Sequence, residues 1–329
     1  MKNQKHNYGT AILSAFEYLL ETYPETFVIG QGLWSPWYVG NSMTDLDKKF
    51  GVDRIIDTPV SESACTGAAV GASLAGMKPI VVHPRMDFML YAMDAIVNQA
   101  AKWSHMFGGQ AHPCVTIRSI INRGGEQGAQ HSQALHAWFA HIPGLRVVMP
   151  STVQDARDLL ISSVLCPDPV IYIDDRWLYD QEAEIPPIVE LELSKQKPAI
   201  TQSGTDITIV GSGHASFLSR EARTLLLKKN INVEIIDVRI LNPFDESVII
   251  KSVMKTHHLI VVDSGCLSGG FSAEIVASVV EKLPLGYLKH APIRIALPDA
   301  PAPTSPVLEK NYYISSDDIV EAAVRILNT

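Results

Sequence analysis

The feature that most constrains this chain is an alternation. Short β-branched and apolar runs without polar interleaving recur between segments of helical period. Phe27 to Ile29, Arg54 to Asp57, Pro79 to Val82, Val115 to Arg118, Leu145 to Val148 and Val170 to Ile173 are such runs. Runs of this kind are strands buried on both faces of a parallel sheet. Between them, Thr10 to Glu21 places Ala11, Ile12, Ala15, Phe16, Leu19 and Leu20 on one helical face. Ser61 to Ala75, Phe88 to Trp103 and Val153 to Val164 read as further helices. The order βαβα predicts a doubly wound α/β fold with a mostly parallel sheet.

The alternation lapses over Asp180 to Ser203, a charged stretch holding Pro186, Pro187 and Pro198. It then resumes. Ile207 to Val210, Val233 to Ile236, Leu259 to Val262 and Ile293 to Ala296 read as strands. Ala215 to Lys228, Glu246 to Met254, Gly270 to Val280 and a segment from Ser316 read as helices. The expected division is a domain over 1–185, a linker over 186–203 and a smaller α/β domain over 204–329.

A net charge of -8 with no lysine- or arginine-rich block argues against nucleic acid and anionic membrane as partners. No apolar run approaches the roughly 18 residues that span a bilayer. The basic start, Met1-Lys2-Asn3-Gln4-Lys5, leads into no signal-peptide apolar core, so a soluble cytoplasmic protein is expected. Cys65, Cys114, Cys166 and Cys266 are far apart and show no CxxC spacing. Buried free thiols are expected rather than a zinc site or disulfides.

Several motifs have two readings. Ser61 is a good N-cap residue. Glu62 follows it in the first helical turn, where an acid favours the helix dipole or, alternatively, is a functional carboxylate at the C-terminal edge of the sheet. Gly67, Gly71 and Gly76 weaken that helix by about 1 kcal/mol each, which suggests a close approach to its backbone. Gly211-Ser212-Gly213-His214 follows a strand and opens a helix, but without the third glycine of a dinucleotide fingerprint a tight turn is favoured. Gly108-Gly109 and Gly124-Gly125 bracket the strand near Val115 as turns. The second pair opens a long polar loop through Gln133 at the C-terminal end of a strand, where open α/β sheets place ligands. Its His131 is a packing histidine or a functional one.

Arg54-Ile55-Ile56-Asp57-Thr58-Pro59-Val60-Ser61-Glu62 resembles the signature of beta subunits of pyruvate and branched-chain 2-oxoacid dehydrogenases, the decarboxylating first components of those complexes. The likeness continues through Gly67 to Ala72, Asp94 to Lys102, Ala129 to Gln133 and Ile142 to Pro150. Ile236-Asp237-Val238-Arg239 and Asn242-Pro243-Phe244-Asp245 are similar to a transketolase-type C-terminal domain. The resemblance covers nearly the whole chain and implies a transketolase-like pyrimidine-binding domain first. It implies thiamine diphosphate as cofactor, with Glu62 bonded to the aminopyrimidine ring. It likewise implies that Phe88 packs on that ring, that Tyr91 stands beside it where glutamine is common, and that His131 faces the reacting oxoacid. The diphosphate and Mg²⁺ are held in the family by a Gly-Asp-Gly motif, and none occurs here. The missing half implies an alpha subunit in an α2β2 tetramer, with a dihydrolipoyl acyltransferase core as a further partner. The family's monovalent cation, K⁺, would be bound by backbone carbonyls at Val115, Ser163, Cys166 and Asp168.

Two segments depart from the family pattern. The first-strand loop, Gly30-Gln31-Gly32-Leu33-Trp34-Ser35-Pro36-Trp37-Tyr38, lacks the usual two acids and gains two tryptophans. The stretch before Phe88, His83-Pro84-Arg85-Met86-Asp87, is polar where the family is apolar and aromatic. Gln31, Trp34 and Arg85 are therefore the substrate-loop candidates. Arg85 pairs with a substrate carboxylate or phosphate, or else with Asp87 or another acid. Oxidative decarboxylation with acyl transfer to a lipoyl group is the leading expectation. The alternatives are a split transketolase-like or acetoin- or sugar-type enzyme, and a non-catalytic scaffold.

Overall fold

A computed structural model describes residues 3–328. The chain forms two compact units, one of residues up to 122 together with 138–196, the other of 123–137 together with 197 onward. Residues 123–137, inside the span 1–185 drawn from the sequence, thus group with the second unit.

In the first unit, β1 (Gln4–Asn7) leads into α1 (Tyr8–Thr22) through a reciprocal capping box. Asn7 Oδ1 accepts the Thr10 N–H at 2.8 Å, and the Asn7 N–H donates to Thr10 Oγ1 at 2.9 Å. The apolar face expected for this helix is buried throughout. The unit's strands are β2 (Thr26–Gln31), β3 (Ile55–Thr58), β4 (Lys78–His83), β5 (Thr116–Ile121), β6 (Arg146–Val148) and β7 (Val170–Asp175). They lie in the order β6-β7-β5-β4-β2-β3, every pair parallel. β4, β5 and β7 are buried almost end to end, as strands covered on both faces of a parallel sheet are, and in β5 the buried positions include the polar Thr116, Arg118 and Ser119. The helices α2 (Glu62–Leu74) and α3 (Val153–Val164) connect them, and β8 (Glu182–Ile185) pairs antiparallel with β1.

A buried arginine stands on the central strand β5. Arg118 is fully buried, and its Nε and Nη2 grip Asp174 Oδ1 and Oδ2 at 3.0 and 2.8 Å. Nη2 also donates to Ser42 Oγ at 2.9 Å and to the Tyr179 hydroxyl at 2.7 Å. A bidentate fork with further acceptors is the arrangement that makes a buried ion pair tolerable.

The second unit has a five-stranded sheet of β9 (Ala199–Gln202), β10 (Ile207–Gly211), β11 (Val233–Asp237), β12 (Leu259–Cys266) and β13 (Ile293–Leu297). Its order is β13-β12-β10-β11-β9, parallel except for the antiparallel edge strand β9. Its longer helices are α4 (Gly213–Leu227), α5 (Ser247–Thr256), α6 (Phe271–Lys282) and α7 (Ser316–Asn328). Its core gathers Ile207, Ile209, Val233, Ile235 and Ile260 with Ala222, Leu226 and Ile326 from the helices.

Four local expectations are corrected. The segment read as a linker contains β9, which escapes pattern reading because Pro198 precedes it and it is hydrogen-bonded on one side only. The expected helix from Phe88 to Trp103 is three short pieces, a 3₁₀ segment Met86–Ala92, a π-helix Asp94–Ala100 and an α-turn Trp103–Met106. Apolar spacing over two turns does not separate these windings, and the Ala101 N–H to Ile96 carbonyl bond at 3.0 Å marks the wide one. Ser61 occupies the N-cap position with ψ 55°, not the extended value that lets a hydroxyl reach back to the helix, and it makes no side-chain cap bond. Of the cysteines, Cys65 and Cys166 are buried as expected, Cys114 is half-buried and Cys266, the last residue of β12, is exposed. No helix among the described residues is long and apolar enough to cross a membrane.

Candidate active site

Parallel register brings three strand ends of the first unit to one edge. Gln31 on β2 lies opposite Thr58 on β3, and Gly30 opposite Val82, the residue before His83 on β4. A pocket opens there, lined by Gly30, Gln31, Thr58, Ser61, Glu62, Cys65, Val81, Val82, His83 and Pro84. It lies at the C-terminal edge of a parallel sheet, the place such folds use for ligands. At Gly30 the two strands approach closely, since a Cβ there would stand 2.3 Å from the Val82 carbonyl oxygen.

Glu62 enters the pocket half-buried from the first turn of α2. Cys65, one turn further on, shares that side of the helix, and its thiol donates to Thr58 Oγ1 at 3.3 Å. Thr66 Oγ1 lies 3.2 Å from His83 Nε2. Burial pushes the His83 imidazole down to about 4, so it is neutral at pH 7. The pocket therefore combines one carboxylate with a neutral imidazole, a thiol, an amide and the hydroxyl residues Thr58 and Ser61, beside the apolar Val81, Val82 and Pro84. Polar groups set beside apolar side chains orient a flat, partly polar ring.

The loop after β2 is tied down on both sides. The Leu33 N–H donates to Asp57 Oδ1 at 3.1 Å, and the Trp34 indole N–H to the Ile55 carbonyl at 3.3 Å. Arg176, just beyond β7, donates to the carbonyls of Tyr38 at 3.1 Å and Pro36 at 3.3 Å. Trp34 and Trp37 remain 50% and 72% exposed, so they present apolar surface outward instead of filling the core. Arg85 is half-buried. Burial, and then the nearby Arg176, lower its guanidinium, while Asp87 and Tyr38 act the other way.

Gln31 and Glu62 are thus brought together. Phe88 and Tyr91 follow on the 3₁₀ segment, three residues apart and on one side of a three-per-turn helix, Phe88 half-buried and Tyr91 73% exposed. Neither is among the pocket's lining residues. His131 belongs to the second unit, half-buried, with its N–H on the Gly128 carbonyl at 3.3 Å. Val115, Ser163, Cys166 and Asp168 gather near the starts of β5 and β7, the opposite end of the strands from the pocket. The Val115 carbonyl accepts the Val170 N–H at 3.0 Å, the Ser163 carbonyl accepts the Cys166 N–H at 3.3 Å, and the Asp168 carboxylate pairs with Arg146 at 2.7 Å. His83, Cys65 and Arg176 were not foreseen as site residues. His83 had a signal, as a polar residue closing an apolar strand.

The description "Transketolase, pyrimidine binding domain" matches residues 4–181, and "Transketolase, C-terminal domain" matches 196–319. The chain is 41% identical, over 82% of its length and 80% of the relative's, to the acetoin:2,6-dichlorophenolindophenol oxidoreductase subunit beta of Cupriavidus necator. It is 37% identical, over 97% of its length and 88% of the relative's, to the mitochondrial pyruvate dehydrogenase E1 component subunit beta of Saccharomyces cerevisiae. A solved structure described as a split gene transketolase, inactive beta4 tetramer, superposes with a TM-score of 0.76, covering 98% of this chain and 96% of that one at 19% identity, a likeness of fold. The chain belongs to the transketolase-type family of first-component beta subunits, with a pyrimidine-binding domain followed by a transketolase C-terminal domain.

Proposed function

We propose that this chain supplies the pyrimidine-side half of a thiamine-diphosphate site and, with an alpha-type chain, decarboxylates a 2-oxoacid and passes the acyl group to a lipoyl carrier. The observation that carries the reading is Glu62, a half-buried carboxylate in a pocket at the sheet edge of a domain matched as pyrimidine-binding. When bound, thiamine diphosphate supplies a carbon nucleophile and an electron sink. Glu62 holds a proton against a ring nitrogen of the aminopyrimidine, a task that suits a carboxylate partly withdrawn from water. The neutral His83 and the amide of Gln31 shape the pocket without adding charge. Phe88 and Tyr91 offer aromatic surface beside the ring. His131 supplies or accepts a proton at the reacting carbonyl. Arg85, next to the pocket residue Pro84, and Trp34 face the substrate.

The chain carries no Gly-Asp-Gly motif, so the diphosphate and its Mg²⁺ fall to the alpha-type partner, in an α2β2 assembly. Val115, Ser163, Cys166 and Asp168 hold K⁺ in this reading. A dihydrolipoyl acyltransferase core is the further partner. Four free cysteines fit a reducing compartment, and the cytoplasm is the proposed location.

Glu62→Gln, assembled with the alpha-type chain, tests the reading. Turnover should fall by at least roughly 10²-fold, the scale of a lost proton-transfer group, with the fold retained. Normal turnover would remove Glu62 from the mechanism. The Cupriavidus relative favours a second reading, in which the substrate is an acyloin such as acetoin. Assays with pyruvate, branched oxoacids, acetoin and a ketose phosphate decide between them. Activity with acetoin or the ketose phosphate, and none with any oxoacid, overturns the first.

A further inference from the structure

We propose that His136 is a positioning residue that fixes the His131 loop on the second unit through its hydrogen bond to Asp263. The proposal rests on the reading that His131 works at the reacting centre. From 122 to 135 the loop has no helix or strand of its own. It runs through left-handed backbone at Gly124, Gly125, Glu126 and Gly128, with φ of 71°, 62°, 63° and 71°. Glu126 is the one non-glycine among these, in a conformation L-residues disfavour. A segment so wound has few low-energy alternatives in place and no ladder to hold it, so its shape depends on anchors.

Three of its anchors, among the described residues, come from elsewhere in the second unit. The Glu126 N–H donates to both carboxylate oxygens of Glu309, at 3.2 and 3.1 Å. Gly128 lies against Thr304, where a Cβ would come within 2.5 Å of Thr304 Cγ2. His136 Nε2 meets Asp263 Oδ1 at 2.9 Å, with both side chains buried. The third is built most firmly. Asp263 Oδ1 also takes the Gly265 N–H at 2.9 Å, and Oδ2 the Ser272 N–H at 2.8 Å, which ties the end of β12 to the first turn of α6. Burial alone would raise this carboxyl. Attraction to His136, with the N–H donors of His136, Gly265 and Ser272, outweighs it and holds the group at about 2. The carboxylate is thus a fixed, charged acceptor.

The imidazole is held through one nitrogen. Its Nδ1 is buried and has no partner among the described residues, so Asp263 alone sets the ring's polar orientation. Phe271 packs edge-on at 6.5 Å between centroids, and a Cβ on Gly265 would crowd His136 Cε1 at 3.2 Å. His136 stands five residues after His131, short enough for a shift at one to be felt at the other.

The test uses the full chain assembled with its alpha-type partner, in the variants His136→Ala, His136→Gln, Asp263→Asn and His131→Ala. Amide hydrogen exchange over 124–135 and steady-state kinetics are measured on each. His136→Ala should speed exchange in the loop and lower kcat by roughly 10–100-fold, the scale of an ångström-sized misplacement, with KM and thiamine-diphosphate affinity changed less than about twofold. His136→Gln, which keeps a side-chain N–H donor, should recover most of both. Asp263→Asn keeps the shape, removes the charge and should fall between them; it also serves if His136→Ala does not fold. Unchanged exchange overturns the clamp. Faster exchange with unchanged kcat, where His131→Ala is crippled, overturns the positioning role. If His131→Ala costs nothing, the role assigned to His131 fails and the positioning role falls with it, while the exchange data still report whether the anchor itself exists.

Discussion

Gly30→Ala should damage stability and catalysis together. Gly30 lies in β2 beside β4, and an added Cβ would stand 2.3 Å from the Val82 carbonyl oxygen, 3.2 Å from the Val82 carbonyl carbon and 3.3 Å from its nitrogen. Ordinary contact begins near 3.4 Å, so the strands must part by about an ångström. The obstacle is backbone in the sheet interior, which has no rotamer to swing away. Overpacking of this kind costs about 1–3 kcal/mol. The opening falls between Gln31 and His83, both of which line the pocket with Glu62. A shift of that size in the residues that seat a reacting group costs on the order of 10²-fold in turnover. Urea denaturation of the full chain reads the first effect, and kcat of the assembled enzyme with saturating cofactor reads the second. A variant with wild-type midpoint and wild-type kcat would refute the claim that close β2–β4 approach builds the pocket. A less stable variant with normal kcat would confine Gly30 to packing.

Gly67→Ala and Gly71→Ala form the contrast: both are exposed on α2, a Cβ meets nothing within 4 Å at either, and each should stabilise the isolated chain by about 0.5–1 kcal/mol. The close approach that their glycine content suggests is therefore not made within the described chain, and loss of assembly with the alpha-type partner in these variants would locate it at a subunit contact. Asp174→Ala should destabilise the first unit by about 3–5 kcal/mol, because it leaves the Arg118 guanidinium buried without its bidentate acceptor; a change under about 1 kcal/mol in the denaturation midpoint analysis would contradict the pairing. Stability should also fall in acid. His83 and His214 are lowered by burial to about 4 and about 3, against an unfolded value near 6.5. Their folded-state values lie below the unfolded ones, so the unfolded chain binds more protons between pH 6.5 and 4, and each imidazole removes roughly 1 kcal/mol per pH unit in that window. Melting curves of His83→Gln from pH 7 to 4.5 should fall less steeply than wild type, and an equal slope would show that His83 is not buried neutral.

What the sequence reveals follows the range of the interactions involved. Strands such as β10 and β4 are legible because burial on both faces leaves a run rich in β-branched and apolar residues, a local signal. Glu62 and Gln31 are legible for a related reason: strand ends in a parallel sheet are placed by the strands, and both stand within a few residues of one. His83 is harder, since its meaning comes from Thr66 on another element and from complete burial. The winding of 86–106 is hidden because 3₁₀, α and π turns share an apolar spacing over so short a stretch. The grouping of 123–137 with the second unit is the least legible of all. Its anchors lie 127 residues away at Asp263 and 183 away at Glu309. Neither His136 nor Glu309 differs locally from an ordinary surface residue. Only the tertiary structure turns them into buried partners. The loop that carries His131 is thus inserted in the sequence of one unit and fastened to the other, so the proposed clamp predicts that substitutions in β12 or α6, remote in sequence from His131, act on it through Asp263.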